Sequence, residues 1–62
     1  MKKFNIGDKV LIKDKRLYGY ICDDTDSKVG HYIVDCYDFM DTKDSNEFLI
    51  DVDVSDIEVV ND

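Results

Sequence analysis

The sequence contains no proline and no tryptophan, and it has only two cysteines, three glycines and one histidine among 62 residues. Because no proline-rich or glycine-rich stretch is available as a linker, we expect a single domain over residues 1–62. The longest unbroken apolar run is three residues, far short of the roughly 20 that a membrane helix needs. No basic segment followed by an apolar stretch opens the chain, so we expect neither a signal peptide nor a membrane span.

Basic residues are the scarcer charged class, with eight lysines and arginines against fifteen aspartates and glutamates and a net charge of −7. The two signs are also separated along the chain. Residues 1–16 hold six basic and two acidic residues, a net charge of +4, whereas residues 17–62 hold two basic and thirteen acidic residues, a net charge of −11. Such asymmetry governs partner choice and association rate rather than the fold.

The apolar residues follow a period of two, which is typical of strands with one buried face. The inward positions of three such segments are Val10 and Ile12; Tyr32, Val34 and Cys36; and Phe48, Ile50 and Val52. The runs YGYICDD and DIEVV add two more candidate strands, and no eleven-residue window has the apolar spacing of a helix. The sequence therefore predicts an all-β domain of five short strands with little or no helix.

Five short strands in so small a chain would leave two open edges and a half-covered face, so we expect the sheet to curl into a barrel. Gly7 and Asp8 are placed to turn the chain into the first strand. Gly19 lies where a strongly bent second strand requires a residue without a Cβ atom.

Four short motifs resemble those of the small SH3-like barrels, of the KOW-like and Tudor-like kind, that occur in Gram-positive bacteria and their phages. The motifs are F-x-x-G-D-x-V at 4–10, a glycine entering a strand at 19–21, G-x-Y-x-V at 30–34 and D-[IL]-E-x-V at 56–60. The resemblance implies a five-stranded SH3-like barrel over most of the chain. Two departures, the acidic stretch DFMDTKDSNEF and the basic KDKR, argue against the proline-rich peptide binding of other SH3 domains.

Strand parity predicts a different position for each cysteine, because successive residues of a strand face opposite sides of the sheet. If Ile21 points inward, Cys22 points outward, whereas Val34 and Cys36 both point inward. We therefore expect two free thiols, one of them in the core, and a reducing, cytoplasmic location.

The expected pairing of the second and third strands has positions that sum to 57, with residues 27–30 as the hairpin loop. The cross-strand neighbours in that register are Ile21 and Cys36, Tyr20 and Tyr37, and Asp26 and His31.

Catalytic and metal sites find little support in the residue pattern. His31, the only histidine, and Cys22 would lie near opposite ends of the hairpin, whereas a Cys–His pair needs a separation of about 3 Å. The stretch DDTDSKVG begins like a calcium loop, but Lys28 and Val29 stand where a ligand and the turn glycine belong. We expect no enzymatic activity, no bound metal and no cofactor.

Three surfaces are candidates for binding. Acidic residues recur at every third position and, about 10 Å apart in an extended chain, form a display of carboxylates; they are Asp35, Asp38, Asp41, Asp44 and Glu47. An aromatic patch that could hold a cation by cation–π attraction comprises Tyr18, Tyr20 and Tyr37. A basic patch comprises Lys9, Lys13, Lys15 and Arg16.

The charge balance favours the acidic face. A rigid carboxylate display attracts a basic protein surface and competes with nucleic acid for it. We therefore expect a non-enzymatic binding module for a basic protein, such as a phage or mobile-element inhibitor that mimics nucleic acid. The alternative is a KOW-like module that binds nucleic acid, or a ribosomal or transcription complex, through the basic patch. A simpler interpretation of the acidic face is that its aspartates only keep the domain soluble, and a simpler interpretation of the basic patch is that its lysines lie on a solvated strand face.

Overall fold

The chain forms one five-stranded antiparallel sheet in the computed structural model, which describes residues 3–40 and 48–60. The strands are β1 (Lys9–Ile12), β2 (Leu17–Asp23), β3 (His31–Asp35), β4 (Leu49–Asp53) and β5 (Ile57–Val59). Their order across the sheet is β4-β3-β2-β1-β5. Within the described residues the only helical pieces are three single 3-10 turns, at Ser27–Val29, Tyr37–Phe39 and Val54–Asp56. The predicted all-β, five-stranded architecture is confirmed, while closure into an SH3-like barrel stays a prediction.

None of these helical turns, which are the helices found in residues 3–40 and 48–60, has the length and apolar character to cross a membrane.

All five strands contribute to a single hydrophobic core. Its buried members are Phe4, Val10, Ile12, Ile21, Tyr32, Val34, Cys36, Val52 and Ile57. Because one sheet supplies residues from every strand to one cluster, the sheet must curve around that cluster. Burying a valine or isoleucine side chain contributes about 1.5–3 kcal/mol, so this face dominates the stability of so small a domain. The predicted inward positions are confirmed here, except that Phe48 and Ile50 are only half-buried.

Gly19 permits β2 and β3 to approach closely. A Cβ atom built at this position would collide with Val34 Cγ1 and would lie 2.8 Å from both the Asp35 carbonyl oxygen and Cys36 Sγ. The predicted need for a residue without a side chain in the bent second strand is confirmed.

The turn into β1 is built around Gly7, which has a φ of +93°, a conformation that favours glycine. The Gly7 N–H donates to the Ile21 carbonyl at 2.8 Å, and the Ile21 N–H donates to the Asp8 carbonyl at 2.9 Å. The turn into β1 at Gly7 and Asp8 is as predicted, and these two bonds also tie it to β2.

The predicted register of β2 and β3 is wrong by two positions. Ile21 lies opposite Val34 rather than Cys36, and Tyr20 lies opposite Asp35 rather than Tyr37. The loop is longer than predicted, because the chain turns through the 3-10 turn Ser27–Val29 before β3 begins. A shift of two leaves a residue on its own face, since side chains alternate with a period of two; Asp23, which follows an irregularity in the pairing and lies opposite Ile33, is the exception.

The parity prediction for the cysteines therefore holds despite the register error. Cys22 is exposed, Cys36 is buried, and both are free thiols.

Candidate functional site

Asp23 reaches the outer face of the sheet because the pairing of β2 and β3 is irregular at Cys22. Strict alternation from the buried Ile21 would point Asp23 into the core. Instead the pairing skips Cys22, and Asp23 lies opposite Ile33 with its side chain exposed; such bulges re-aim side chains. Ile33 in turn lies opposite Asp51. Two carboxylates therefore flank one half-buried isoleucine, on strands about 10 Å apart.

An acidic cleft of about 280 Å³ lies at this end of the sheet. Its walls come from the end of β2, the β2–β3 turn, β3 and β4. The lining residues are Asp23, Thr25, Asp26, His31, Tyr32, Ile33 and Asp51. Three aspartates thus line a recess that also contains Ile33, whereas the side chain of Tyr32 is buried in the core. A cationic side chain with an apolar stem matches this combination of charge and apolar surface.

His31 links the two acidic positions of β4 at the cleft. Its Nδ1 atom is 3.1 Å from Asp51 Oδ1, and its Nε2 atom is 4.0 Å from Asp53 Oδ2. All three side chains are about half exposed or more, so the pairing contributes little to stability. The pairing holds the imidazole over β4, where His31 forms part of the cleft lining.

Local hydrogen bonds favour the ionised form of two carboxylates at this end of the sheet, those of Asp23 and Asp53. The hydroxyl of Thr25 and then its backbone N–H, which donates to Asp23 Oδ1 at 2.7 Å, lower the pKa of Asp23. The backbone N–H of Ser55 and then its hydroxyl, both donating to Asp53 Oδ1, lower the pKa of Asp53, with a smaller contribution from His31. This end of the sheet therefore stays negative at a pH where ordinary carboxylates begin to take up protons.

Within the described part of the chain, no three or more His, Cys, Asp or Glu side chains are grouped so that they could hold a metal ion.

Two members of the predicted acidic face fall within the described residues. Asp35 is half-buried on β3, and its Oδ1 accepts the Tyr37 N–H at 3.0 Å, so this carboxylate helps to shape the following turn. Asp38 is exposed in the 3-10 turn Tyr37–Phe39. The other three members lie outside the described residues; they are Asp41, Asp44 and Glu47.

The predicted aromatic patch is organised around Phe39. The rings of Tyr18 and Tyr20 lie 6.1 and 5.6 Å from the Phe39 ring, measured between centroids. The Lys9 Nζ atom lies 5.5 Å from the centroids of both Tyr18 and Phe39. The chain's own ammonium group thus already lies against Tyr18, one of the three rings expected to attract a cation, and against Phe39. Tyr37 packs edge-on against Phe48 at 5.3 Å.

The predicted basic patch is divided between two places on the molecule. Lys13, Lys15 and Arg16 are exposed in the turn between β1 and β2, where Arg16 has a φ of +51°. Lys9 is half-buried beside the aromatic rings. The exposed basic turn and the acidic cleft lie at opposite ends of β2, so the charge asymmetry of the sequence becomes a spatial one.

The thiols show no sign of activation. Partial burial, followed by the negative charges of Asp35 and Asp23, raises the pKa of Cys22. Burial, followed by the charge of Asp35, raises the pKa of Cys36 to about 11. A nucleophilic cysteine needs the opposite shift, because the thiolate is the reactive form.

We expect the free energy of unfolding to fall at alkaline pH because of the buried thiol of Cys36. Its ordinary pKa of 9.0 applies to the unfolded chain, whereas burial holds the folded value near 11. Between these values the unfolded state releases a proton that the folded state keeps, so the free energy of unfolding falls as the pH rises from about 9 to 11 and is unaffected below that window. Urea unfolding of the wild type and of Cys36→Ala at pH 8 and pH 10.5 should show a larger fall for the wild type. The two proteins differ in no other titratable group, so equal falls would contradict the prediction.

The residues that sequence reasoning missed are those of the cleft. Asp23 and Asp26 come from the end of β2 and the turn after it, whereas Asp51 comes from β4, and the observed pairing of the strands brings Asp51 to the other two. One signal was present, since Asp51 and Asp53 alternate with apolar residues in DVDV and so share the outer face of a strand.

Comparison of the chain with protein-family models, with curated protein sequences and with solved structures gives no match.

Proposed function

We propose that this chain is a non-enzymatic binding module that recognises a basic protein surface through its acidic side. The observation that carries the proposal is the cleft, where Asp23, Asp26 and Asp51 surround a recess large enough for a side chain. The net charge of −7 supports it, since a negative field speeds encounter with a basic partner and repels nucleic acid.

The proposed partner is a protein that handles nucleic acid. Such proteins carry basic grooves, and a rigid set of carboxylates can occupy a groove in place of phosphates. In this proposal the chain acts as a nucleic-acid mimic, in the manner of a phage or mobile-element inhibitor, inside the cell. The acidic face of the sequence, which includes Asp35 and Asp38, extends the negative surface beyond the cleft.

A relation to SH3-like barrels is part of the proposal. Two features support it: the strand order β4-β3-β2-β1-β5, in which the last strand returns to pair with the first, and the 3-10 turn Val54–Asp56 that connects β4 to β5. Both fit a small barrel with a single core.

One observation favours a second candidate function. The exposed turn with Lys13, Lys15 and Arg16 lies next to Tyr18 and Tyr20, which are 40% and 39% exposed. Exposed tyrosines beside basic residues can stack bases and neutralise phosphates. A KOW-like module that binds nucleic acid or a ribosomal or transcription complex would use this end of the molecule.

Chemical-shift mapping separates the two functions. A nine-residue arginine-rich peptide added to the isotope-labelled protein at about 0.15 M salt should shift the amide signals of Asp23, Asp26, Ile33 and Asp51. A single-stranded oligonucleotide should leave the basic turn unshifted. Shifts confined to residues 13–18, and produced by the oligonucleotide alone, would favour the second function.

A further inference from the structure

The outer edge of β4 has backbone groups that point away from β3 and pair with no other backbone group among residues 3–40 and 48–60. β4 is the outermost strand on its side, and among residues 3–40 and 48–60 it pairs only with β3. The Cys36 N–H donates to the Phe48 carbonyl at 2.9 Å, and the Val54 N–H donates to the Gly30 carbonyl at 2.7 Å. These two bonds fix which β4 residues face β3.

Hydrogen-bonded positions alternate along an antiparallel pair. With Phe48 and Val54 bonded to the β3 side, Ile50 and Val52 are bonded to it as well. The N–H and C=O groups of the intervening residues therefore point to the open edge, and no described backbone group pairs with them. These residues are Leu49, Asp51 and Asp53, whose side chains also lie on the outer face.

The charges at this edge select against a second copy of the chain. In a two-fold antiparallel pair centred on Asp51, that carboxylate would face its own copy and Leu49 would face Asp53. Like charges directly opposite each other destabilise a strand pair, and charged edge residues commonly prevent sheets from joining. A strand with basic residues at alternate positions would instead place opposite charges across the pair.

We propose that the open edge of β4 binds an extended segment of a basic partner, which adds to the sheet as a sixth strand. The segment carries lysine or arginine at alternate positions, so that these side chains lie opposite Asp51 and Asp53 on the outer face. This inference rests on the proposed function and specifies its partner. Backbone hydrogen bonds to Leu49, Asp51 and Asp53 supply the docking geometry.

The cleft lies beside this edge and shares Asp51 with it. An added strand lies about 4.8 Å from β4. A long basic side chain placed opposite Asp51 can therefore extend over that carboxylate toward Asp23 and Asp26. The edge and the cleft then bind one segment together, the edge through its backbone and the cleft through a cationic side chain.

A pair of peptides with equal charge tests the inference. One is a nine-residue peptide of alternating arginine and valine, and the other is the same peptide with N-methylated arginine backbone nitrogens, which can no longer donate to the edge. We expect the first peptide to slow hydrogen exchange at the amides of Leu49, Asp51 and Asp53, and the methylated peptide to bind at least 10-fold more weakly. Equal affinities with unchanged exchange would overturn edge docking while leaving the proposed function intact. Failure of both peptides, and of basic proteins, to bind would overturn both proposals.

Two variants of the protein give a matched control without changing its charge. Leu49→Pro removes an edge-facing N–H, and proline is tolerated at such positions of edge strands. Leu49→Ala shortens the same side chain but keeps the N–H. The unmethylated peptide should bind Leu49→Pro several-fold more weakly than Leu49→Ala. Equal binding to two folded variants would count against the added strand, and the methylated peptide decides the matter if Leu49→Pro does not fold.

Discussion

The Gly19→Ala variant is expected to lose about 1–3 kcal/mol of folding free energy, the usual cost of forcing extra atoms into a packed interior. The added methyl group would meet Val34 Cγ1, the Asp35 carbonyl and Cys36 Sγ. The carbonyl belongs to the backbone of β3, so relief requires the two strands to move apart. For a chain of this length, whose total stability is roughly 3–9 kcal/mol, the loss is a large fraction, and urea unfolding measures it.

A double-mutant cycle identifies the cause of that loss. Val34→Ala removes the methyl group nearest to the new Cβ atom, so Gly19→Ala should cost less in the Val34→Ala background than in the wild type. Equal costs in the two backgrounds would show that the close approach at Gly19 is not the source of the destabilisation.

Charge reversal in the cleft is expected to have the largest effect on binding. Replacing Asp23, Asp26 and Asp51 with lysine changes the local charge by six units next to the proposed partner. Association with the arginine-rich peptide should slow by at least 10-fold, and its salt dependence should flatten, because steering charges act mainly on the association rate and are screened over about 8–10 Å at ordinary ionic strength. Stopped-flow measurements at several salt concentrations give both quantities.

The control for this variant removes the positive charges of the basic turn at the other end of β2. Replacing Lys13, Lys15 and Arg16 with glutamine should change the association rate with the peptide less than two-fold. These residues and the three aspartates are exposed, so both triple variants should keep the fold, which circular dichroism checks. The proposal would be contradicted if association slowed in the basic-turn variant and stayed at the wild-type rate in the cleft-reversed variant.

The faces of the strands could be predicted from the sequence, but their register could not. Alternation around Val10, Val34 and Val52 reports which side of each strand is buried, and that information survives a shift of two positions. The register depends on where the chain departs from regular pairing. The irregularity at Cys22 has one indirect signature, since strict alternation from Ile21 would bury the carboxylate of Asp23, which is costly without a partner; the sequence does not show which residue is skipped.

The cleft could not be predicted for the same reason. The expected pairing assumed an uninterrupted β2, on which Asp23 would point inward, so a surface containing Asp23 and Asp51 did not arise. The alternating carboxylates of β4 were visible, but their neighbours across the sheet were not. The regular spacing of Asp35 and Asp38 suggested an extended display, whereas the structure engages Asp35 in a turn.

Binding of one oligonucleotide and one peptide to three proteins tests whether the chain recognises a basic partner through its acidic side. The proteins are the wild type, the cleft-reversed variant and the basic-turn variant, compared at about 0.15 M salt. We expect the arginine-rich peptide to bind the wild type and the basic-turn variant but not the cleft-reversed variant, and the oligonucleotide not to bind the wild type. Binding of the oligonucleotide to the wild type, lost only in the basic-turn variant and with the salt slope reduced by about 0.7–0.9 for each lost phosphate contact, would instead show a nucleic-acid-binding module and contradict recognition through the acidic side.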